Sequence, residues 1–242
     1  MKTASIKFAI GTLALAAAAT ASAGIPLTLS SFQANATLTL TVQANGSSKA
    51  AGVAIKELGN TVRNADVAVD YNGRPSSVPQ FAFPATKADI SLAAVAGGGL
   101  PIKVNSGAAS GSALRLTTPD AGGDVVLANF VIDFNKHIVY SDIIDVAAKT
   151  TKKQLPLFTF TDRVVGKAVL KGLGLNVHSE IENLVFTPDA VAPLQGGLLI
   201  DDVLVSSLKM INWGDIVVDV TSKTRAKKVN DAPLTLKQVP AM

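Results

Sequence analysis

Apolar and polar residues alternate with a period of two along much of this chain. In "ATLTLTVQA" the apolar residues Leu38, Leu40 and Val42 are separated by threonines, and the turn-forming residues 45–48 follow. A period of two is typical of a half-buried strand, and threonine is a good strand former on a wet face. The secondary structure of "AGVAIKELGNTV", residues 51–62, is left undecided, because its apolar residues fit either strand alternation or one face of a helix.

The longest alternating stretch is "VVLANFVIDFNKHIVYSDIIDV", residues 125–146, and it predicts a β-hairpin. One face of its first strand is wholly apolar: Val126, Ala128, Phe130, Ile132 and Phe134. A tight two-residue turn is predicted at Asn135-Lys136, since Asn tolerates the positive φ that such turns require. The return strand places Tyr140 on one face and His137 on the other, so we interpret the hairpin as part of the core.

Helical spacing replaces alternation in two places. In "TDRVVGKAVLKGLG", Thr161 or Asp162 can cap a helix whose apolar face has Val165 and Val169. In "FTPDAVAPLQGG", Thr187 is a good N-cap and proline occupies the first helical position. The segment from 197 to 222 returns to a strand pattern.

These elements predict a mostly β fold, an antiparallel β-sandwich with two or three short helices. We expect a secretory signal at 1–23, one sandwich-like domain at 24–222 and a basic C-terminal tail at 223–242. The Gly, Ala and Ser-rich region 93–112 is either a linker between two small domains or, as we favour, loops joining short strands.

The N-terminus has the three parts of a secretory signal. Lys2 and Lys7 are followed by an apolar, mostly alanine run, and Ala21-Ser22-Ala23 offers small residues for cleavage after Ala23. The run is shorter than the ~20 residues that span a bilayer. We therefore expect export to the periplasm, the cell surface or the medium, and no transmembrane segment after cleavage.

Composition narrows the chemistry further. The chain has no Cys, so an exported form cannot rely on disulfides. The net charge is +4, but two of the lysines belong to the signal and four cations crowd into "KTRAKK", 223–228. This clustering leaves no broad basic face for a nucleic-acid backbone. With one Trp and two Tyr, the chain also has few aromatic side chains on which bases could stack. We expect the basic tail to be a solvated terminal segment.

Two histidines limit the candidate sites. His137 and Tyr140 could bind ferric haem iron, although in a regular strand they point to opposite faces. His178, Glu180 and Glu182 share a face of a strand and are candidate ligands for a divalent metal. No nucleophile elbow, phosphate loop or dinucleotide motif occurs, and no constellation of residues points to an enzyme.

One stretch carries a family resemblance. Residues "SGSALRLTTPDAGGDVVLANFVIDFNKHIVYSDI" and the later "FTPDAVAPL", between Ser110 and Leu194, resemble secreted bacterial β-sandwich proteins of the HtaA type. Some members of that family bind haem. The chain lacks a His-Gly-Gly segment before the hairpin and has few aromatic residues to hold a porphyrin, so the resemblance implies the fold rather than the ligand.

We therefore expect an exported, non-catalytic bacterial protein that acts through its surface in the envelope or outside the cell, with a protein or polysaccharide as partner and no cofactor. The alternative is a secreted binding protein for haem or another apolar small ligand, with His137 or Tyr140 lining its pocket.

Overall fold

A computed structural model describes residues 24–92, 102–171 and 174–241 of the chain. The expected signal at 1–23 lies outside the described residues. The strands are β1 Ile25–Thr28, β2 Phe32–Leu40, β3 Ala54–Gly59, β4 Val62–Arg63, β5 Val67–Tyr71, β6 Arg74–Val78, β7 Gln80–Pro84, β8 Lys87–Leu92, β9 Ile102–Thr118, β10 Gly123–Asp133, β11 Ile138–Asp145, β12 Thr150–Lys171, β13 Gly174–Phe186 and β14 Gly214–Thr224. The helices are α1 Val42–Ala50, α2 Pro188–Leu198 and α3 Asp202–Leu208, and a 3₁₀ turn covers Leu236–Gln238.

One curled antiparallel sheet forms most of the molecule. Its 12 strands follow the order β1-β8-β9-β10-β11-β12-β13-β14-β2-β7-β4, with β3 added beside β9. β9 also meets β12 where Ala168 pairs with Ile102. Strands twist, and bulges increase the twist, so strands as long as β9 and β12 bend the sheet around its inner face. The prediction of a mostly β, antiparallel, sandwich-like fold with short helices is confirmed.

The helix predicted at 161–174 is wrong, because residues 161–171 belong to β12 and β13 begins at Gly174, while 172 and 173 lie outside the described residues. Thr161, proposed as an N-cap, instead pairs with Glu182 across the ladder. The β12–β13 ladder has register shifts between 159 and 161, 162 and 164, and 164 and 167. Each shift interrupts the period of two, so the apolar spacing in the sequence imitates a helix.

The second predicted helix is confirmed as α2. The side chain of Thr187 accepts a hydrogen bond from the Ala190 N–H at 3.3 Å, and Pro188 and Asp189 occupy the first turn.

Two other local predictions are wrong. The turn expected at 45–48 lies in α1, which Thr41 caps by accepting from Ala44 N–H at 3.0 Å. The strand expected near 202–208 is α3.

Within the undecided segment 51–62, residues 54–59 form a strand, β3, which pairs with residues 112–117 in the C-terminal part of β9. The structure decides between the two alternatives for only part of the small-residue region 93–112. Residues 93–101 lie outside the described residues, while 102–112 belong to β9. β9 pairs with β8, β10 and β3, so this part of the region is neither a loop nor a linker.

A bulge at Asn129 corrects the predicted faces of the hairpin. Asn129 adopts a left-handed conformation with φ 56°. At this residue the pairing register of β10 shifts against both neighbouring strands, β9 and β11. Val126 and Ala128 consequently pack on the outer face, while Phe130 and Ile132 turn to the inner face.

The two-residue turn predicted at Asn135-Lys136 is also wrong. Asp133 pairs with Ile138, which leaves four residues, 134–137, in the turn.

The C-terminal residues bind the outside of the sheet, in contrast to the solvated tail expected from their charge. Arg225 donates to the carbonyl groups of Phe32 and Ala34 and to the Asn35 side chain. Leu234 is 7% exposed and packs with Ala113, Val126, Ala128 and Ile144. Apolar residues within a basic segment thus bury part of it.

Candidate ligand-binding cavity

The inner face of the curled sheet encloses a cavity of about 100 Å³ that opens to solvent. Binding sites for drug-sized ligands typically have ~300–1,000 Å³, so this smaller space fits only a slender part of a ligand, such as a stretch of hydrocarbon chain. Nearly every strand of the large sheet contributes to the wall. The described lining residues are Leu27, Leu29, Ala36, Leu38, Leu40, Ile55, Phe83, Ala85, Lys87, Ala88, Ile90, Val104, Gly107, Ala108, Ala109, Leu114, Leu116, Leu127, Phe130, Ile132, Phe134, Val139, Phe158, Val177, Ser179, Phe186, Trp213, Ile216, Val218 and Val220.

Small residues on β9 help to keep this space open. Gly107, Ala108 and Ala109 line the cavity in the middle of a 17-residue strand. Farther along the same strand the lining residues are larger, since Leu114 and Leu116 both line the cavity and belong to the packed core. Gly and Ala are weak strand formers, and their use in a central strand is explained by the volume that they leave on its inner face.

Aromatic rings pack at the end of the cavity nearest the helices. Phe158 and Phe186 stack with centroids 4.5 Å apart, and Phe186 meets the Trp213 ring edge-on at 4.7 Å. The Trp213 indole N–H donates to the Leu208 carbonyl at 3.1 Å. Since its only donor is already used, Trp213 presents an apolar surface to the cavity.

The lining offers almost nothing for a polar ligand to bind. Apart from Trp213, the described lining residues with a polar side-chain group are Lys87 and Ser179. The Ser179 hydroxyl already donates to the Val164 carbonyl at 3.2 Å. Lys87 is exposed, and it pairs with the exposed Thr28 on the neighbouring strand. The described part of the wall would therefore attract hydrocarbon rather than a charged or hydrogen-bonding group.

Part of this apolar wall keeps contact with solvent. Leu27, Val104, Phe130, Phe134 and Val218 are only partly buried although they line the cavity. Removing apolar surface from water stabilises a complex by about 25 cal/mol per Å². An apolar ligand that covers these partly buried residues would therefore gain binding free energy from their burial.

The structure places His137 and Tyr140 at the turn of the hairpin and on β11, and neither is among the described lining residues. His137 is exposed, its Nε2 lies 2.9 Å from Asp162 Oδ2, and its ring meets Phe160 at 5.5 Å. The Tyr140 ring lies 5.8 Å from the Lys136 ammonium. Their role as ligand-binding residues stays a prediction.

His178 lies in a polar cluster on the outer face of β13. Its Nδ1 is 2.7 Å from Asp219 Oδ1 and its Nε2 is 3.1 Å from Glu180 Oε1. These hydrogen bonds, with Asp219 first and Glu180 second, raise the pKa of His178 because they favour the charged imidazolium.

The metal site proposed at His178, Glu180 and Glu182 also stays a prediction. Across the described ranges, no three His, Asp or Glu side chains are grouped as a metal ion would require. Asp219, which sequence reasoning did not include, supplies the shorter of the two carboxylate contacts to His178 because β13 and β14 pair at this position.

Sequence reasoning missed the cavity itself. The available signal was the run of small residues from 106 to 113, which a strand needs only if something must fit beside it. The complementary large residues come from strands far apart in the chain, so their convergence is not visible in any local pattern.

Comparisons with known proteins add little beyond the fold. No protein-family model and no curated protein matches the chain. Among solved structures, it is similar to the C-terminal domain of HtaA from Corynebacterium glutamicum, with 12% identity and a TM-score of 0.36 over 77% of this chain and 96% of that one. The resemblance expected from the sequence is therefore one of fold only, and no function or site residue is taken from it.

No helix within the described ranges has the length and apolar character needed to cross a membrane.

Proposed function

We propose that this protein is an exported, non-catalytic carrier that binds the hydrocarbon part of a lipid-like molecule in the cavity of its curled sheet. The observation that supports this proposal is the almost wholly apolar wall of the cavity, which has a volume of about 100 Å³. Such a space favours a binding protein over a role confined to the outer surface. The secretory pattern of residues 1–23 supports export.

A slender stretch of an acyl or other hydrocarbon chain fits this wall better than haem does. Haem iron is held by an axial His, Cys, Met or Tyr side chain. None of these residue types occurs in the described lining, and His137 and Tyr140 are held elsewhere by Asp162, Phe160 and Lys136. A hydrocarbon needs no polar anchor, so the head group of the ligand would stay at the mouth of the cavity.

The dependence of affinity on chain length tests this proposal. Each buried CH₂ contributes about 0.8 kcal/mol, so two more methylenes should tighten binding about 15-fold until the cavity is full. Saturated fatty acids of increasing length would displace a fluorescent apolar dye from the purified protein. A displacement constant that does not change with chain length would contradict the proposal.

A cavity-filling variant separates binding inside the sheet from adhesion to its surface. Ala109 is 4% exposed and lines the cavity opposite Phe130, with which it pairs. Ala109→Phe should abolish dye and fatty-acid binding because the added ring fills the cavity, and a retained cooperative thermal transition shows that the variant is folded. The matched control is Ala68→Phe on the exposed side of β5, which should bind as the wild type does. Equal binding by both variants would place the ligand outside the cavity.

Titration with haem examines the alternative ligand. A Soret shift that is lost in His137→Ala or Tyr140→Phe would identify a haem protein and overturn the assignment to a hydrocarbon ligand. We expect no residue-dependent shift.

A further inference from the structure

The first strand begins at Ile25, and Gly24, which precedes it and directly follows the expected cleavage site, lies against a carboxylate. A Cβ built on Gly24 would lie 1.9 Å from Oδ1 and 2.2 Å from Oδ2 of Asp89, closer than any real side chain approaches. The register explains this approach, because Ile25 pairs with Ile90 and Pro26 with Asp89. The backbone of Gly24 is therefore held against the Asp89 side chain.

This carboxylate has an unused oxygen. Asp89 Oδ1 is buried and accepts no hydrogen bond from any described residue. The nearest cations of the packed strands do not serve it: within the described ranges, neither Lys87 on β8 nor Lys103 on β9 forms an ion pair with Asp89, and the Lys103 ammonium donates to Asn135 Oδ1 at 2.6 Å. A buried carboxylate oxygen without a partner is costly, so a donor at this position would be stabilising.

We infer that Asp89 is the binding site for the α-ammonium group that signal cleavage creates on Gly24. Hydrolysis of the Ala23–Gly24 peptide bond by a signal peptidase adds one water, leaving a carboxylate on Ala23 and a free amine on Gly24, which takes up a proton at neutral pH. The amide nitrogen, which could donate one proton, becomes an ammonium with three. A side chain at position 24 would displace the Asp89 carboxylate, so glycine lets the chain end lie this close to it.

The pair would join β1 to β8 at the start of the mature chain. β1 has only four residues, and Leu27 and Leu29, in and directly after it, line the cavity. A short edge strand frays readily, and an ion pair at its free end opposes fraying. Cleavage of the signal thus completes one wall of the cavity. The ion pair itself does not depend on which ligand the cavity binds.

The ionisation of the Gly24 amine tests this inference. The full chain is exported with its own signal, and mass spectrometry of the purified product identifies the first residue. The rate at which the terminal amine is acylated is then followed against pH. An ordinary α-amino group has a pKa of ~7.7–8.0, and an opposite charge within ~4–6 Å raises it, so the wild-type amine should react about tenfold more slowly at pH 7 for each unit of increase.

Asp89→Asn should restore the ordinary rate, whereas Asp120→Asn, a change of the same charge in an exposed loop, should not. A second comparison leaves Asp89 in place: a mature chain with one extra alanine before Gly24, released from a fusion, should also react at the ordinary rate. A product that does not begin at Gly24, or equal rates for the wild type and Asp89→Asn, would overturn the inference. Neither result bears on hydrocarbon binding, so the two proposals fail independently.

Discussion

Asn129 is the position at which one substitution should affect the fold most. It sits in the β10 bulge at 6% exposure, and its amide makes every hydrogen bond that the group allows. Oδ1 accepts from the N–H groups of Gly111 and Leu234 at 3.0 and 2.8 Å. Nδ2 donates to Asp142 Oδ2 at 2.8 Å and to the Leu234 carbonyl at 2.9 Å. One side chain therefore joins β9, β11 and the C-terminal segment.

The expected magnitude follows from this network. Asn129→Ala removes four buried hydrogen bonds at about 1 kcal/mol each, and it places alanine in a left-handed conformation that costs roughly 1–2 kcal/mol. We expect a loss of about 5 kcal/mol in the free energy of unfolding, a large part of the ~5–15 kcal/mol typical of a domain. Asn129→Gly loses the same hydrogen bonds without the conformational cost, so it should be about 1 kcal/mol less destabilising than the alanine variant.

Guanidinium unfolding followed by the fluorescence of the single, buried Trp213 measures these values. Asn72→Ala is the matched control, because Asn72 has the same left-handed conformation, φ 54°, in an exposed turn. It should lose only about 1 kcal/mol. A loss below about 1.5 kcal/mol for Asn129→Ala, or an alanine variant more stable than the glycine variant, would refute this reasoning.

Three further predictions concern local contacts. Thr187→Ala removes the cap of α2, which should lower the free energy of unfolding by about 1 kcal/mol and lower the melting temperature accordingly. An unchanged thermal transition would contradict the capping role. Leu199→Gly relieves a left-handed, 59% exposed leucine at the end of α2 and should stabilise the protein by roughly 0.5–1 kcal/mol in the same assay. The raised pKa of His178, caused by Asp219 and then Glu180, implies stability that is complete below the unfolded pKa of ~6.5 and is lost as pH rises through the folded pKa. NMR titration should show a lower His178 pKa in Asp219→Asn, and an unchanged value would exclude this contact in solution.

Local patterns predicted those elements whose stabilisation is itself local. Alternation along β2, β10 and β11 predicted strands, and the Thr-Pro-Asp start predicted α2, because each signal depends on neighbouring residues alone. The helix expected at 161–174 failed for the opposite reason. β12 is held by its partners, and the bulges that bend it interrupt the alternation by which a strand is recognised.

The sequence by itself determined the mostly β architecture, the absence of cysteine chemistry and the secretory pattern of the N-terminus, since these follow from composition and short-range periodicity. Only the tertiary structure decided which faces of β10 are inner and outer, because a single left-handed residue at Asn129 reverses them. It alone decided that the C-terminal segment is bound to the sheet. The cavity depends on the tertiary structure most of all: small residues of β9 meet large ones from distant strands only when the sheet curls, and the curl arises from the summed twist of many strands.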